Sequence, residues 1–109
     1  MSYNLKTIPS FDNELKLLSK KYPSLKNEYG NLLDLLEQNP ASGIPLGKDC
    51  FKIRLAIKSK QKGKSSGARV ITCVKLIKKT VYLLSIYDKS SLDNISDEAL
   101  MKRLNEIKL

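Results

Sequence analysis

Ten lysines and arginines lie within residues 50–87, a stretch that contains no aspartate or glutamate. They are Lys52, Arg54, Lys58, Lys60, Lys62, Lys64, Arg69, Lys75, Lys78 and Lys79. The rest of the chain holds the other ten of its 20 bases and all 11 of its acidic residues, so this stretch supplies the whole formal charge of +9. Positive charge concentrated in one segment indicates that the segment binds or processes a polyanion.

The spacing of two of these cations predicts on which face of a β-sheet they lie. Lys52 and Arg54 alternate with the apolar Ile53 and Leu55, so a β-strand here places both cations on one face of a sheet. The alternative is a solvated strand surface whose lysines protect an edge strand from aggregation. That explanation accounts for the two adjacent lysines near the end of the stretch, but not for this alternation.

The residue types restrict the chemistry that such a face can perform. The chain has no histidine and only two cysteines, which argues against a zinc site and removes the commonest general acid and base. A cationic face could still promote cleavage of RNA by its own 2′-hydroxyl, which needs a base, stabilisation of the phosphorane and an acid for the leaving 5′-oxygen. Arginine suits the phosphorane, a lysine can be the base where neighbouring cations lower its pKa, and tyrosine or lysine can be the acid. No metal or cofactor is expected.

The length of 109 residues predicts one domain, 1–109, with a single modest core. No apolar run approaches the ~20 residues of a membrane span, and the first residues lack a signal-peptide pattern. We therefore expect a cytoplasmic protein without a membrane partner. Cys50 and Cys73 are expected as buried, reduced thiols; neighbouring strands could bring them face to face, but a disulfide is not expected in a reducing compartment.

Apolar periodicity, glycine, proline and capping residues predict the elements that position the cations. They are a strand over 3–8, a helix over 11–21 with Ser10 as its N-cap, a second helix between Ser24 and Asn39, a loop over 41–49, strands over 51–58, 68–76 and 81–87, and a last helix over 96–108. The first two helices should form an antiparallel pair on one face of the sheet. Residues 58–67 are longer than a hairpin needs and predict a mobile basic loop.

Alternation along the three later strands predicts which side chains share the second face of the sheet. Arg54, Arg69 and Tyr87 all point away from the helices, with Arg69 on the sheet surface, where it contributes little to the core. This patch depends on register, so a bulge would displace one of its members.

The order of elements and three segments, FKIRLA (51–56), SSGARVI (65–71) and YLLSIYDK (82–89), resemble the RelE/ParE superfamily of bacterial toxins. The motifs are K-I-R, G-x-R and I-Y-x-K, and the long lysine-rich loop is most similar to the HigB-like branch. The resemblance covers nearly the whole chain. It implies an α+β fold of order β-α-α-β-β-β(-α), with a mostly antiparallel sheet, a helical hairpin on one face and a basic cleft on the other.

Ribosome-dependent members of this superfamily cut messenger RNA in the ribosomal A site, and a cognate antitoxin neutralises them. The resemblance therefore implies a type II toxin that is a metal-independent endoribonuclease and inhibits translation. Its implied partners are the ribosome, mRNA and an antitoxin, with which it would form a hetero-oligomer.

The resemblance also implies roles for individual residues. Contacts to the phosphate and the transition state fall on Arg54 and Arg69, and proton transfer falls on lysines among 52, 58 and 60 and on Tyr87 or Lys89, with base and acid unassigned. The implied catalytic set is Arg54, Lys58, Lys60, Arg69, Tyr87 and Lys89, and the implied RNA-binding set is Lys52, Lys62, Lys64 and Lys75. Tyr87 has a second interpretation as an ordinary aromatic at a strand end.

Two other classes of function stay open. ParE-like relatives share the fold but inhibit DNA gyrase without cutting nucleic acid, and a degenerate member would only bind RNA or an antitoxin. The cations clustered on the strands favour the nuclease, because a gyrase inhibitor does not require them there.

Overall fold

The computed structural model describes residues 2–60, 67–92 and 94–107, with Lys60 as backbone only. Its elements are β1 (Asn4–Thr7), α1 (Pro9–Lys21), α2 (Leu25–Gln38), β2 (Ile44–Gly47), β3 (Cys50–Leu55), a 3₁₀ turn (Lys58–Lys60), β4 (Ala68–Lys75), β5 (Thr80–Asp88) and α3 (Asp97–Asn105). The strands form one sheet in the order β1-β5-β4-β3-β2, in which β1 runs parallel to β5 and the other neighbours are antiparallel. The predicted α+β fold with a mostly antiparallel sheet is confirmed.

The sheet lies between the α1–α2 hairpin on one face and α3 on the other. Asp88 accepts a hydrogen bond of 2.6 Å from Tyr22 at the end of α1, and its side chain points to the face opposite that of Tyr87. Lys75 is on the same face as Arg69 by alternation along β4, and it lines a cleft with Leu104 of α3. Because both faces are covered, β4 and β5 are almost wholly buried.

The sequence predicts a loop over 41–49, and this is wrong for the four residues of β2. This short strand pairs with the start of β3, with an irregularity between Pro45 and Gly47. All its residues are exposed, and Pro45 has no backbone donor, which a strand tolerates at a sheet edge. An exposed segment that contains proline lacks the alternation by which strands are recognised.

The start of α1 also differs from the prediction, because the helix begins at Pro9 and Ser10 is not its N-cap. Ile8 occupies the cap position without a side-chain hydrogen bond, and Pro9 has no N–H to satisfy. Glu106, just beyond α3, accepts hydrogen bonds from the Ser10 backbone N–H (3.1 Å) and from its hydroxyl. A carboxylate near the other end of the chain therefore stabilises this helix terminus.

The sequence predicts a last helix over 96–108, and the structure has a shorter one there, α3 over Asp97–Asn105. Ser96 is its N-cap, and the Ser96 hydroxyl oxygen accepts a hydrogen bond of 3.1 Å from the Ala99 backbone N–H. Over the described ranges, no helix is both long enough and apolar enough to cross a membrane.

The ion pair of Glu14 with Arg103 covers the part of β5 that follows Leu83, where the pairing of β5 with β1 ends. The Ile86 N–H donates to Glu14 Oε1 at 3.2 Å, and the Leu84 carbonyl accepts from Arg103 Nη1 at 2.7 Å. Arg103 also binds both Glu14 oxygens, at 2.8 and 2.9 Å, and this hydrogen-bonded pair raises the pKa of Arg103. The pair closes a sheet edge and ties α1 to α3.

This geometry predicts that Arg103→Gln lowers the free energy of unfolding by about 2–3 kcal/mol, because Leu84 loses its donor and Glu14 its partner. Lys102→Gln is the matched control: it removes the same charge from the exposed Lys102–Glu98 pair, which should cost less than about 0.5 kcal/mol. Urea unfolding of both variants measures the difference. Equal stability of the two variants would contradict the role of Arg103.

Candidate functional site

The strand register places three predicted site residues in one row across the sheet. Arg54 of β3 pairs with Arg69 of β4, and Arg69 pairs with Tyr87 of β5. A bulge does occur, between Ile71 and Thr72 in the β4–β5 register, but it precedes Tyr87 and leaves the row intact. Like charges directly opposite each other destabilise a sheet, so folding alone does not favour two paired arginines.

Burial differs sharply along this row. Arg54 is exposed, whereas Arg69 is only 3% exposed and Tyr87 7% exposed. The expectation that Arg69 lies on the open surface is therefore wrong. Its Nη1 donates to the Ala68 carbonyl at 3.1 Å.

The segment between β5 and α3 contributes to this burial. Asn94 Oδ1 accepts a hydrogen bond of 2.7 Å from Lys52 Nζ on β3, and the backbone at Ile95 lies beside the Tyr87 hydroxyl on β5. A segment that touches β3 and β5 on the same face passes over β4 between them. Lys52 is half-buried in consequence, and Arg54 is the member of the row that solvent reaches.

Tyr87 is held as a neutral phenol. Burial raises its pKa, while the backbone at Ile95 and the charge of Arg69 lower it by smaller amounts. The approach of Ile95 is outside hydrogen-bond geometry, and within the described part of the chain the hydroxyl has no hydrogen-bond partner. A phenol with a raised pKa keeps its proton at neutral pH, so Tyr87 suits the role of an acid rather than a base.

The basic loop begins with an anchored turn. Glu28 of α2 is buried; its Oε2 accepts the Lys58 N–H at 2.6 Å and its Oε1 accepts the Ser24 hydroxyl at 3.1 Å. Ser24 and Ser59 exchange backbone-to-hydroxyl bonds of 2.9 and 3.0 Å. These contacts fix the backbone at Lys58, whose side chain is exposed. The rest of the predicted loop at 61–66, including Lys62 and Lys64, and the side chain of Lys60 lie outside the described residues.

A glycine and two strand-end residues join β3, β4 and β5 at this end of the sheet. Gly67 cannot carry a side chain, because a Cβ would lie 2.2 Å from the Leu55 carbonyl oxygen. Its own carbonyl accepts a 3.0 Å hydrogen bond from the backbone N–H of Lys89. Close approach of the backbone is thus the physical reason for the glycine before Arg69.

Asp88 is a site residue that the sequence reasoning missed. It is 4% exposed and accepts hydrogen bonds from the Tyr22 hydroxyl at 2.6 Å and from the Ser90 N–H and hydroxyl at 3.0 and 2.7 Å. It therefore fixes the strand end that carries Tyr87 and Lys89. The sequence feature that could have identified Asp88 is an acidic residue directly after an apolar strand, because a carboxylate buried there requires hydrogen-bond donors.

Lys75 does not join the row. It lies six residues beyond Arg69 on β4, roughly 20 Å along the strand, and beside Leu104 and Ile107 near α3. For metals, the described residues contain no group of three or more histidine, cysteine or acidic side chains that could hold an ion.

The anchored turn yields a prediction about Glu28. Glu28→Leu should lower the free energy of unfolding by about 1–3 kcal/mol, because it leaves the partly buried Lys58 N–H without its acceptor. Hydrogen exchange at the Lys58 amide should become faster in the same variant. Asp34→Leu, an exposed position on the same helix, is the control and should change stability by no more than about 0.5 kcal/mol. Unaltered protection of the Lys58 amide would contradict the anchoring role.

Neither a protein-family model nor a curated protein sequence matches the chain, but solved structures do. A double arginine-to-alanine mutant of the E. coli toxin RelE in the free state is similar with a TM-score of 0.62 and 20% identity, over 99% of this chain and 100% of that chain. The isolated E. coli RelE toxin has a TM-score of 0.55 and 25% identity, over 94% and 99%. A metal-bound toxin from Helicobacter pylori has a TM-score of 0.50 and 20% identity, over 83% and 98%. Along nearly its whole length, the chain has the fold of RelE toxins.

Proposed function

We propose that the protein is the toxin of a type II toxin–antitoxin system, in the HigB-like branch of the RelE/ParE superfamily, and that it cleaves mRNA on the ribosome. The observation that carries this proposal is the row of Arg54, Arg69 and Tyr87 on a RelE-like fold. The row combines two cationic groups, of which Arg54 is exposed, with a proton donor. A gyrase inhibitor needs neither, so the row favours the nuclease.

The proposed reaction uses the 2′-hydroxyl of the RNA as nucleophile. Its oxygen attacks the adjacent phosphorus, its proton passes to a base, and the bond to the 5′-oxygen breaks as that oxygen takes a proton from an acid. The products are a 2′,3′-cyclic phosphate and a 5′-hydroxyl end. The reaction requires no metal, because the protein supplies the positive charge for the phosphorane.

The exposure and protonation state of each side chain indicate which step of the reaction it would serve. Arg54 is accessible and would bind the phosphate directly, with the buried Arg69 beside it on β4 adding positive charge where the phosphorane forms. Tyr87, neutral through its raised pKa, would be the acid. The base would be a lysine: Lys58 is exposed on its anchored turn, and Lys52 is bound only to a neutral amide oxygen among the described residues. Lys60 and Lys89 remain candidates for proton transfer, and Lys62, Lys64 and Lys75 for RNA binding.

Burial of Tyr87 supports dependence on the ribosome. At 7% exposure its hydroxyl is screened beside Ile95, so RNA reaches it only after the segment at 94–95 moves. Free RNA offers little to drive that movement, whereas a ribosome can hold the RNA and the protein in fixed orientation. The cytoplasm is the compartment in which such a protein would meet mRNA, the ribosome and its antitoxin.

Arg54→Ala tests the function. In a bacterial translation extract the wild-type protein should cut a reporter mRNA at discrete sites, detected by mapping 5′ ends, and the variant should cut about 10²–10³-fold more slowly because a phosphorane contact is lost. Lys26→Ala removes an exposed cation on α2 and should cut at the wild-type rate.

Three outcomes would contradict the proposal. A folded Arg54→Ala variant with the wild-type rate would remove the phosphate role. Equally rapid cleavage of naked RNA by the pure protein would remove ribosome dependence. Inhibition of DNA supercoiling without any mRNA cleavage would favour the ParE-like alternative.

Tyr87→Phe separates the acid role from a packing role. The hydroxyl makes no hydrogen bond with the described residues, so its removal should leave the free energy of unfolding nearly unchanged. Cleavage should fall by about 10²–10⁴-fold if Tyr87 is the acid. Because burial raises the pKa of Tyr87, loss of the acid with rising pH should occur at a higher pH than an ordinary tyrosine would give. A fully active Tyr87→Phe protein would return Tyr87 to the role of an ordinary core aromatic.

A further inference from the structure

Cys50 and Cys73 are direct partners in the β3–β4 register, and both carry free thiols. The Val74 N–H donates to the Asp49 carbonyl at 2.9 Å, so the hydrogen bonds belong to the flanking residues and the two cysteines occupy a non-hydrogen-bonded position. At such positions the Cα atoms approach to about 4.5 Å and the side chains lie closest. Disulfides span Cα separations of about 4.4–6.8 Å, so a bond between these sulfurs needs no rearrangement of the sheet.

The two thiols are chemically unequal. When both thiols are protonated, the Cys50 thiol donates to the Lys48 carbonyl at 3.4 Å. When Cys73 is a thiolate, the Cys50 thiol donates to the Cys73 sulfur. That hydrogen bond lowers the pKa of Cys73 and raises the pKa of Cys50, while burial raises both and the charge of Lys75 lowers both. Cys73 is therefore the first of the pair to become a thiolate, the form that reacts with oxidants.

A small oxidant has an approach to this pair. A cleft of about 310 Å³ lies between Lys48 and Asp49, Lys75, and the α3-end residues Leu104 and Ile107. Its lining includes Lys48 and Asp49, which directly precede Cys50, and Lys75, which lies on the same face of β4 as Cys73. Neither cysteine lines the cleft, and the two are 1% and 0% exposed, so a small opening of the structure at the end of α3 is needed. Such an opening would admit hydrogen peroxide more readily than a bulky disulfide-containing oxidant.

We propose that Cys50 and Cys73 form a modification site at which hydrogen peroxide converts the two thiols into a cross-strand disulfide. The Cys73 thiolate attacks a peroxide oxygen, the O–O bond breaks, and the departing hydroxide takes a proton to become water. Cys50 sulfur then attacks the resulting sulfenic acid, the S–O bond breaks, and a second water leaves. Two thiols and one peroxide give one disulfide and two waters, and the two electrons lost by sulfur reduce the peroxide.

The disulfide would close a covalent loop over residues 51–72. That loop contains Lys52, Arg54, the 3₁₀ turn and Arg69. Oxidation would therefore link β3 and β4, the two strands that carry the arginine pair, by a covalent bond. Loop closure of this size should raise the thermal midpoint by about 10 °C. Disulfides formed in a reducing compartment are typically transient and redox-sensing, and this site does not depend on the nuclease proposal.

The test uses the whole reduced protein. It is treated with a few-fold excess of hydrogen peroxide, quenched with catalase, then denatured and alkylated for intact-mass measurement. The expected product is about 2 Da lighter than the reduced chain, accepts no alkyl group and has a higher thermal midpoint. Dithiothreitol should reverse all three changes.

Cys50→Ala and Cys73→Ala are the matched controls. Each keeps a single thiol, so peroxide should give neither the loss of about 2 Da nor the rise in thermal midpoint. A wild-type protein that keeps two alkylatable thiols, forms linkages only between chains, or is oxidised only to sulfinic acid would overturn the proposal. The comparison of reduced with oxidised wild type decides the matter even where a variant does not fold.

Discussion

The register of β3, β4 and β5 is the constraint on which the rest of this protein depends. Arg54, Arg69 and Tyr87 meet because each strand pairs with the next at one specific offset, and a slip of one residue would turn a member of the row toward the opposite face. Burial on both faces of β4 resists such a slip. Gly67 adds a steric condition, because only glycine fits beside the Leu55 carbonyl at the start of this strand.

The same register also contributes terms that are unfavourable to the free energy of folding. It sets two guanidinium groups opposite each other and buries one of them, and neither arrangement favours folding. The apolar contacts of β4 and β5 with both helical layers offset these costs. The sheet thus carries, at one end, a concentration of positive charge that its folding does not favour.

Polar contacts between distant parts of the chain complete the structure. Glu14 with Arg103 and Glu106 with Ser10 attach the C-terminal part of the chain to α1, and Asp88 attaches the end of α1 to the site end of β5. In each case a carboxylate accepts from a partly buried backbone or side-chain donor. The segment between β5 and α3 lies over the cationic face, where Asn94 binds Lys52 and the Ile95 backbone lies beside Tyr87, so it covers part of this face.

The sequence by itself determined the α+β class, the two long helices, the three central strands and α3, because each depends on local periodicity and capping that a short window reveals. Alternation also placed the two arginines and the tyrosine on one face. Only the tertiary structure decided that β2 is a strand, that Glu106 rather than Ser10 satisfies the start of α1, and that Arg69 is buried. Edge pairing, helix termini and burial depend on residues far apart in the chain, and a local pattern holds no information about which distant backbone or carboxylate will arrive there.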